Sequence, residues 1–344
     1  MKGKFENIKI AGMVTVVPKR IQENSEYEKW LGGKRVRKQA KLIGIERRHR
    51  AEEGHSASDL CIEAANSLLS KLNWNRDTVD YLILVTQTPD FEYPSTSFYI
   101  HKELGLSKEC VVFDVNLGCS GFTSGLQIIC SMLQNAGKRG ILLTGDVEYR
   151  TKEQLQKPEY VESASDDMLF GQAASATAFE KAVSSPICFS QNSDGTRYRA
   201  IMHERGGDFT YLDGQEIFNF AMNEVAESVG NFKKYFSIQD EEVDYYVFHQ
   251  AQKLILDTVA DICEIETDKN LFSLKDYGNT SSSSIPLTLC ANLNEFKNRE
   301  KINVFMCGFG IGLSWSNVYM ELKSSSIYPV EISKWREKGK CSDA

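Results

Sequence analysis

The chain has 344 residues, of which 42% are hydrophobic and 25% are charged, as is usual for a globular protein of about two domains. Its formal net charge of −7 argues against a general nucleic-acid-binding protein, because such proteins present excess positive charge to phosphates. No apolar run approaches the length that spans a membrane, and the polar segment before Ile8 is unlike a secretory signal. We therefore expect a cytoplasmic protein that binds neither nucleic acid nor a membrane.

The cysteines indicate the compartment and exclude one kind of site. The chain has 9 of them, scattered, and no two form a C-x-x-C pair. This spacing argues against a zinc or thioredoxin-like site. Most lie in apolar runs, which is typical of a reducing compartment, where cysteine packs as a small hydrophobic residue. The sequence therefore predicts no metal site.

Short apolar runs alternate along the chain with longer segments of helical period, which indicates an α/β protein. Several runs are apolar throughout, as central strands buried on both faces are. In chain order the predicted strands are Ile8–Val17, Tyr81–Gln87, Cys110–Asn116, Gly140–Asp146, Ser175–Phe179, Ile187–Gln191, Val243–His249, Ile302–Cys307 and Leu313–Glu321. The predicted helices are Ser58–Leu72, Phe122–Leu133, Ile217–Phe236 and Ala251–Cys263. The polar segment Tyr149–Asp167 is predicted to be a loop or lid.

The chain also shows signs of an internal duplication. The tripeptide Val79-Asp80-Tyr81 follows a helix and opens a strand, and Val243-Asp244-Tyr245 does the same 164 positions later. The strand predicted at Gly140 recurs 162 positions on, at Ile302. This preserved spacing predicts two similar halves, residues 1–182 and 183–323. Residues 324–344 have little periodicity and are predicted to form a loosely packed C-terminal tail.

The segment Asn116–Phe122 carries the main candidate for a reactive residue. A buried strand ends there, Gly118 permits a sharp turn, and Cys119 stands where the next helix begins. A helix N-terminus lowers the pKa of a thiol, and the backbone N–H of Cys119 can hold an oxyanion. The alternative is a buried structural cysteine, and this segment alone does not decide between the two.

Other strand ends supply candidate partners. His249 ends an apolar strand, Asn279 lies in a turn before a helix, and Gly308–Gly312 is a glycine-rich turn between two strands. Such ends are where α/β folds place their sites, although each feature alone is common for structural reasons. The order cysteine, histidine, asparagine also occurs in papain-like proteases. The local C-G-S-C-W signature of those proteases and a disulfide framework are both absent.

Taken together, the motifs resemble one family. They are GCSGF around Cys119, HQA at His249, YGNTSSSSIPL from Tyr277 and GFGIGLSWS from Gly308, with weaker likenesses at GIERRHR, TPDFEYPST and YLDGQEIFNFA. From about Ile8 to Leu322 the chain is similar to the β-ketoacyl-acyl carrier protein synthase III family of the thiolase superfamily.

This resemblance implies a duplicated α/β thiolase fold of five layers, αβαβα, that forms a homodimer. It implies that Cys119 accepts an acyl group from an acyl-coenzyme A or acyl carrier protein thioester. His249 and Asn279 would then hydrogen-bond the thioester carbonyl of malonyl-acyl carrier protein during its decarboxylation. Coenzyme A and phosphopantetheine thioesters are therefore expected as substrates, and no permanently bound cofactor is expected.

The resemblance also implies roles for residues around this site. The backbone N–H groups of Cys119 and Ile311 would form the oxyanion hole. Phe309 would lean over the cysteine, and Gly310 would complete the active-site loop.

The substrate entrance is where the sequence departs from the family. Trp30 and Gly214 match positions that line the pantetheine entrance, and Gln252 stands where the family usually has asparagine. Leu254 replaces a carrier-docking arginine, and the adenine-stacking arginine has no clear counterpart. The segment Leu31–Ile43 is longer than usual and basic, so it either docks an acidic carrier protein or forms a solvated helix face. These departures leave the identity of the acyl group open.

Three functions remain on sequence grounds. The first is decarboxylative Claisen condensation. The second is acyl transfer from Cys119 to an oxygen or nitrogen nucleophile, which hydrophilic residues in the acyl pocket would favour. The third is a non-catalytic partner subunit, against which the intact Cys119, His249 and Asn279 argue.

Overall fold

The computed structural model describes residues 1–151 and 153–335. In chain order its strands are β1 Lys2–Phe5, β2 Ile8–Val17, β3 Arg20–Glu23, β4 Arg47–Arg50, β5 Tyr81–Val85, β6 Val111–Val115, β7 Arg139–Asp146, β8 Ala173–Lys181, β9 Ile187–Ser193, β10 Ile201–Met202, β11 Tyr211–Leu212, β12 Tyr245–Phe248, β13 Lys301–Gly310, β14 Ser314–Lys323 and β15 Glu331–Ile332. Its α-helices are α1 Glu28–Leu31, α2 Gly33–Ile43, α3 Ala57–Leu72, α4 Thr96–Leu104, α5 Gly121–Asn135, α6 Pro158–Asp167, α7 Gly214–Phe220, α8 Ala226–Phe236, α9 Lys253–Ile262, α10 Leu274–Tyr277, α11 Ser284–Ala291 and α12 Leu293–Phe296. A π-helical turn, Ala221–Val225, joins α7 to α8.

Two large sheets organise the fold. The first has the strand order β15-β2-β8-β7-β5-β6, and the second has the order β1-β9-β14-β13-β12. Two short hairpins, β3-β4 and β10-β11, lie outside them. The outermost strands cross between the halves of the chain, because β1 pairs with β9 and β15 pairs with β2.

The predicted duplication is confirmed by the sheets. The series β2-β8-β7-β5 and β9-β14-β13-β12 have the same order and the same pairing directions. In the first series the N–H of Asp80 donates to the Arg139 carbonyl at 2.9 Å, and the N–H of Arg139 donates to Asp80 Oδ2 at 2.9 Å. Asp244 and Asn303 repeat this exchange at 2.9 and 2.7 Å. The division at residue 183 itself stays a prediction.

The helices complete the five layers that the resemblance implied. α5 and α11 lie between the two sheets, α3 and α4 cover the outer face of the first, and α8 and α9 lie on the outer side of the second. The predicted apolar face of α5 is buried between the sheets, where Leu126, Ile129 and Leu133 have no exposed surface. The sequence predicts this face because apolar residues recur there at helical spacing.

Buried hydroxyl groups join the two halves across the central layer. Ser120, at the start of α5, lies 2.7 Å from Ser314 of β14, measured between the two Oγ atoms. In the opposite sense, Ser283, before α11, lies 2.9 Å from Thr144 of β7, measured from Oγ to Oγ1. We call these two contacts the hydroxyl ties. Each ties an element of one half to a strand of the other.

Three predicted segments differ from the structure. Tyr149–Asp167 is not a loop throughout, because Pro158 opens helix α6, in which Tyr160 and Ala164 are buried one turn apart. The glycine-rich turn begins later than predicted, since β13 continues to Gly310.

The C-terminal segment also differs within the described residues. Ile327 is buried, and β15 pairs with β2, so residues 324–335 pack against the first sheet. The remainder of the predicted tail, 336–344, lies outside the described residues. Across the described ranges, no helix is both long and apolar enough to cross a membrane.

Candidate active site

One cleft of about 920 Å³ contains all three residues that the sequence singled out. Cys119 reaches it from the turn between β6 and α5, His249 directly follows β12, and Asn279 lies between α10 and α11. The two halves of the chain therefore each contribute to its walls.

Cys119 lies in the turn between β6 and α5, beside the loop that contains Ile311. The backbone N–H groups of Cys119 and Ile311 lie beside the Cys119 Sγ, where they favour the thiolate. Burial raises the pKa of the thiol to about 12, the carboxylate of Asp146 adds to the rise, and the two N–H groups oppose it. The lowered pKa expected from the helix start is therefore wrong, because loss of water outweighs the helix terminus.

The loop 309–311 closes over the cysteine. Gly310 has φ +153°, and a Cβ on it would lie 2.6 Å from Cys119 Cβ and 3.1 Å from Cys119 Sγ. A side chain there would both strain the backbone and displace the nucleophile, so glycine is required. Phe309 is 1% exposed, and its ring meets the His249 ring edge to face, with centroids 5.6 Å apart.

His249 is an uncharged donor at neutral pH. It is 1% exposed, and burial lowers its pKa to about 3, against which a hydrogen bond with the backbone of Ser281 acts. Its Nδ1 lies 2.8 Å from the Ser284 hydroxyl, and its backbone N–H donates to the Cys307 carbonyl at 2.8 Å. The ring is therefore fixed in place and has a neutral N–H to offer.

Asn279 is fixed through both its backbone and its side chain. Its N–H donates to the Leu169 carbonyl at 2.8 Å, and its carbonyl accepts from Gly171 at 2.9 Å. Its Oδ1 accepts from the Ser281 N–H at 2.9 Å, so the Nδ2 amide is the group left to donate to a ligand.

The predicted entrance residues are only partly brought together. Gly214 and Gln252 line the cleft. Trp30 instead packs edge-on against Tyr160, with ring centroids 4.9 Å apart, and donates from Nε1 to the Leu155 carbonyl at 3.3 Å. A substrate contact of Trp30 therefore stays a prediction.

Asp146 is a site residue that the sequence reasoning missed. It ends β7 and lines the cleft, where its Oδ1 accepts from the Gln87 N–H at 2.7 Å and its Oδ2 from the Ser282 hydroxyl at 2.9 Å. The available signal was a carboxylate at the end of an apolar strand, the same signal that picked out His249. Within 1–151 and 153–335, no cluster of His, Cys, Asp or Glu is arranged to hold a metal ion.

Comparison with known sequences identifies relatives along nearly the whole chain. Residues 236–322 match the family model of the 3-oxoacyl-[acyl-carrier-protein] synthase III C terminus. The β-ketoacyl-[acyl-carrier-protein] synthase III of Clostridium perfringens strain ATCC 13124 is 30% identical, over 92% of this chain and 100% of its own length. A putative 3-oxoacyl-[acyl-carrier-protein] synthase 3 of Campylobacter jejuni is 29% identical, over 94% of this chain and 96% of its own length.

Solved structures agree with these sequences. The 3-oxoacyl-(acyl-carrier protein) synthase of Burkholderia xenovorans LB400 superposes with a TM-score of 0.90 at 30% identity, covering 97% of this chain and 99% of the other. OleA of Xanthomonas campestris, at 20% identity and a TM-score of 0.82, covers 93% of this chain and 98% of its own, and shares the fold. The chain therefore belongs to the β-ketoacyl-acyl carrier protein synthase III family of the thiolase superfamily and is an acyl-transferring condensing enzyme.

Proposed function

We propose that this enzyme condenses an acyl group, held on Cys119 as a thioester, with a malonyl group delivered by acyl carrier protein. The relatives are 3-oxoacyl-acyl carrier protein synthases, which supports the reaction class. The observation that carries the assignment to these residues is that Cys119 shares one cleft with the neutral His249 and the fixed Asn279. We place the reaction in the cytoplasm, as the sequence predicts.

The first step loads the enzyme. The Cys119 thiolate attacks the carbonyl carbon of an acyl-coenzyme A or acyl carrier protein thioester. The backbone N–H groups of Cys119 and Ile311, which favour negative charge at Sγ, hold the resulting oxyanion. Collapse forms the Cys119 thioester and expels the donor thiolate, which takes up the proton lost by Cys119.

The second step forms the carbon–carbon bond. His249 and Asn279 donate to the thioester carbonyl of the malonyl group, whose bond to the carboxylate breaks and releases carbon dioxide. The electron pair becomes an enolate, and its carbon attacks the acyl thioester on Cys119, expelling the Cys119 thiolate. Neutral donors suit this step, because a charged imidazolium would give its proton to the carbanion.

Intact-protein mass spectrometry tests the covalent step. The wild type and Cys119→Ala are each incubated with a panel of acyl-coenzyme A and acyl carrier protein donors. We expect an acyl mass on the wild type alone. A wild-type protein that gains no mass from any donor would contradict the mechanism. If the wild type does gain an acyl mass, release of carbon dioxide from malonyl carrier protein together with a condensed product separates condensation from simple transfer.

A second candidate is acyl transfer from Cys119 to an oxygen or nitrogen nucleophile. Polar side chains in the cleft, among them Gln87, Asn116 and Glu148, are the observation that keeps it open. The loaded enzyme distinguishes the two reactions. Condensation consumes malonyl carrier protein and releases one carbon dioxide per acyl group, whereas simple transfer releases none.

We propose that two copies of the chain associate through β6. This strand is the edge of the first sheet, and none of its five residues is buried although four are apolar. Val111 on it is 48% exposed, and Tyr93 and Phe98 nearby along the chain are 84% and 54% exposed. An unpaired apolar edge is a site for pairing with a second strand.

Gel filtration tests this dimer. We expect the wild type to elute at twice the 38.8 kDa chain mass, and Val111→Glu to elute as a monomer. The same substitution at Val183, which is 94% exposed, is the control and should leave the dimer intact. A wild type that elutes as a monomer would contradict the proposal.

We further propose that helix α2 docks the acidic carrier protein. Its basic side chains are exposed, and they are Lys34, Arg35, Arg37, Lys38 and Lys41. Gln39 of the same helix lines the cleft, so a carrier on this face could deliver its arm directly. Arg37→Glu with Lys38→Glu should raise KM for malonyl carrier protein about tenfold and leave KM for acyl-coenzyme A unchanged. An equal effect from Lys297→Glu, on the distant surface after α12, would contradict it.

A further inference from the structure

Several polar side chains line the cleft on the side where Cys119 lies. The parallel strands β6, β5 and β7 lie side by side, so their carboxyl ends meet at one edge of the sheet. Cys119 follows β6 at this edge. Among the residues that line the cleft just after the three strands, Asn116, Gln87 and Glu148 have polar side chains, whereas Val147 is apolar.

Gln87 lies beside the residue that precedes the nucleophile. A Cβ on Gly118, the residue before Cys119, would collide with Gln87 Oε1. The Gln87 backbone is fixed by its hydrogen bond to Asp146 Oδ1 at 2.7 Å. Its side-chain amide makes no hydrogen bond to any residue within 1–151 and 153–335. The turn that carries Cys119 therefore has an unpaired amide at its side.

Asn116 and Glu148 supply the other two polar side chains. Asn116 is exposed, and its side chain also lacks a hydrogen-bond partner within the described part of the chain. Glu148 pairs with Arg150 at 2.8 Å between Oε1 and Nη1, while the Gln172 side chain donates to the Glu148 carbonyl. The Glu148 carboxylate is therefore paired with Arg150, whereas the two amides have no protein partner within the described residues.

An alkyl group bound on Cys119 would displace water from these amides and could not form a hydrogen bond with them. Sites that hydrogen-bond a substrate hydroxyl discriminate strongly against the analogue that lacks it, because the protein group is then left unpaired. We propose that the acyl group carried by Cys119 bears a hydroxyl group that bonds to the Gln87 amide. This inference rests on the proposed loading of Cys119 and names the class of acyl group that is loaded.

The polar side chains could instead bind a polar acceptor of the acyl group. Measuring the loading step alone distinguishes these two explanations. Without any acceptor present, a preference among donors can come only from the acyl group. Stopped incubations of the wild type with butyryl-coenzyme A, 2-hydroxybutyryl-coenzyme A and 3-hydroxybutyryl-coenzyme A are read by intact-protein mass spectrometry. We expect one hydroxylated donor to load with a kcat/KM at least about tenfold above that of butyryl.

Two substitutions that keep the side-chain volume test whether Gln87 and Asn116 cause the preference for the hydroxylated donor. Gln87→Met should lose the preference for the hydroxylated donor and load butyryl at least as fast as the wild type, which also shows that it folds. Asn116→Leu is a second variant, which should reduce the preference for the hydroxylated donor by a smaller factor. The matched control is Asn294→Leu, at an exposed residue of α12 that is not among those lining the cleft, and it should keep the wild-type ratio of the two donors.

The outcomes separate the loading of Cys119 from the identity of its acyl group. If no donor adds mass to Cys119, the proposed function fails and this inference fails with it. If butyryl loads as well as both hydroxylated donors, only this inference is overturned. If the preference exists but survives in Gln87→Met and Asn116→Leu, its assignment to these two side chains is wrong.

Discussion

The two halves of the molecule share a scaffold and differ at the ends of their strands. Asp80 with Arg139 and Asp244 with Asn303 make the same backbone exchange, 59 residues apart in both cases. Beyond β5, however, the first half adds the paired strand β6, whereas beyond β12 the described residues of the second half form a single bridge, from Tyr246 to Asn270. The duplicated sheets therefore fix where the site lies, and the strand ends decide its chemistry.

The cleft has the same electrostatic effect on the reactive groups of the two halves. Burial raises the pKa of Cys119, from the first half, to about 12 and lowers the pKa of His249, from the second half, to about 3. Both shifts favour the neutral form, as expected where a cleft excludes water. A nucleophile and a donor of the same site thus become uncharged for one physical reason.

Removing the nucleophile should distinguish the roles of the two halves most clearly. Cys119→Ala leaves His249 and Asn279 in place, so we expect condensation to fall by about 10⁴-fold or more while malonyl decarboxylation persists. Parallel assays of carbon dioxide release and of condensed product check this. Loss of both activities in a folded variant would show that the halves do not divide the work in this way.

The pH dependence should differ between the halves. Below a pKa of about 12 the fraction of Cys119 thiolate rises with pH, so the loading rate should rise about tenfold per pH unit between pH 6 and 9. Decarboxylation by Cys119→Ala should stay constant from pH 5 to 9, because His249 is neutral above its pKa of about 3. Single-turnover rates test this, and a loading plateau near pH 7 would mean that the thiol is activated despite its burial.

Removing a hydrogen-bond donor from the second half should have the opposite effect, with decarboxylation slowed and loading of Cys119 retained. His249→Ala and Asn279→Ala should each slow decarboxylation by about 100- to 1,000-fold, since each donor stabilises the developing enolate. The acyl mass on Cys119 should still form, as read by mass spectrometry. If loading slows equally, these residues position the nucleophile and do not serve the malonyl group.

The smallest expected effect tests the shared scaffold. Asp80→Ala and Asp244→Ala should each lower the free energy of unfolding by about 1–2 kcal/mol, because each leaves a strand N–H without its carboxylate partner. Chemical denaturation measures both. Asp261→Ala, on the exposed face of α9, is the control and should change stability by less than about 0.5 kcal/mol. Each carboxylate also has a second partner, the Lys138 N–H for Asp80 and Arg299 for Asp244, so the values need not be equal. A loss below about 0.5 kcal/mol in either variant would mean that the exchange does not stabilise that half.

The sequence predicted the central elements well, because local pattern determines them. β2 and the apolar face of α5 follow from continuous or periodic apolar residues. β1 was missed because its four residues carry no pattern of their own and pair with β9, far along the chain. α6 was missed because its sequence is mostly polar and only Tyr160 and Ala164 mark its inner face.

The site was predictable as a set of residues and less so in its physical state. The motifs identified Cys119, His249 and Asn279, which the structure gathers in one cleft. The thiol pKa was predicted in the wrong direction, because a helix start can be read from sequence whereas the loss of water depends on distant segments. Trp30 was placed by a motif position, and its actual neighbours Tyr160 and Leu155 belong to a segment that sequence reasoning took for a loop.

The hydroxyl ties have a consequence for how such an enzyme can be rebuilt. Ser120 meets Ser314, and Ser283 meets Thr144, so each half supplies the other's alignment as well as its chemistry. A chimera that takes one half from a distant relative would inherit every reactive group and still misalign them, unless both members of each hydroxyl pair came along. The contacts between the halves therefore have to be transferred together with the reactive groups.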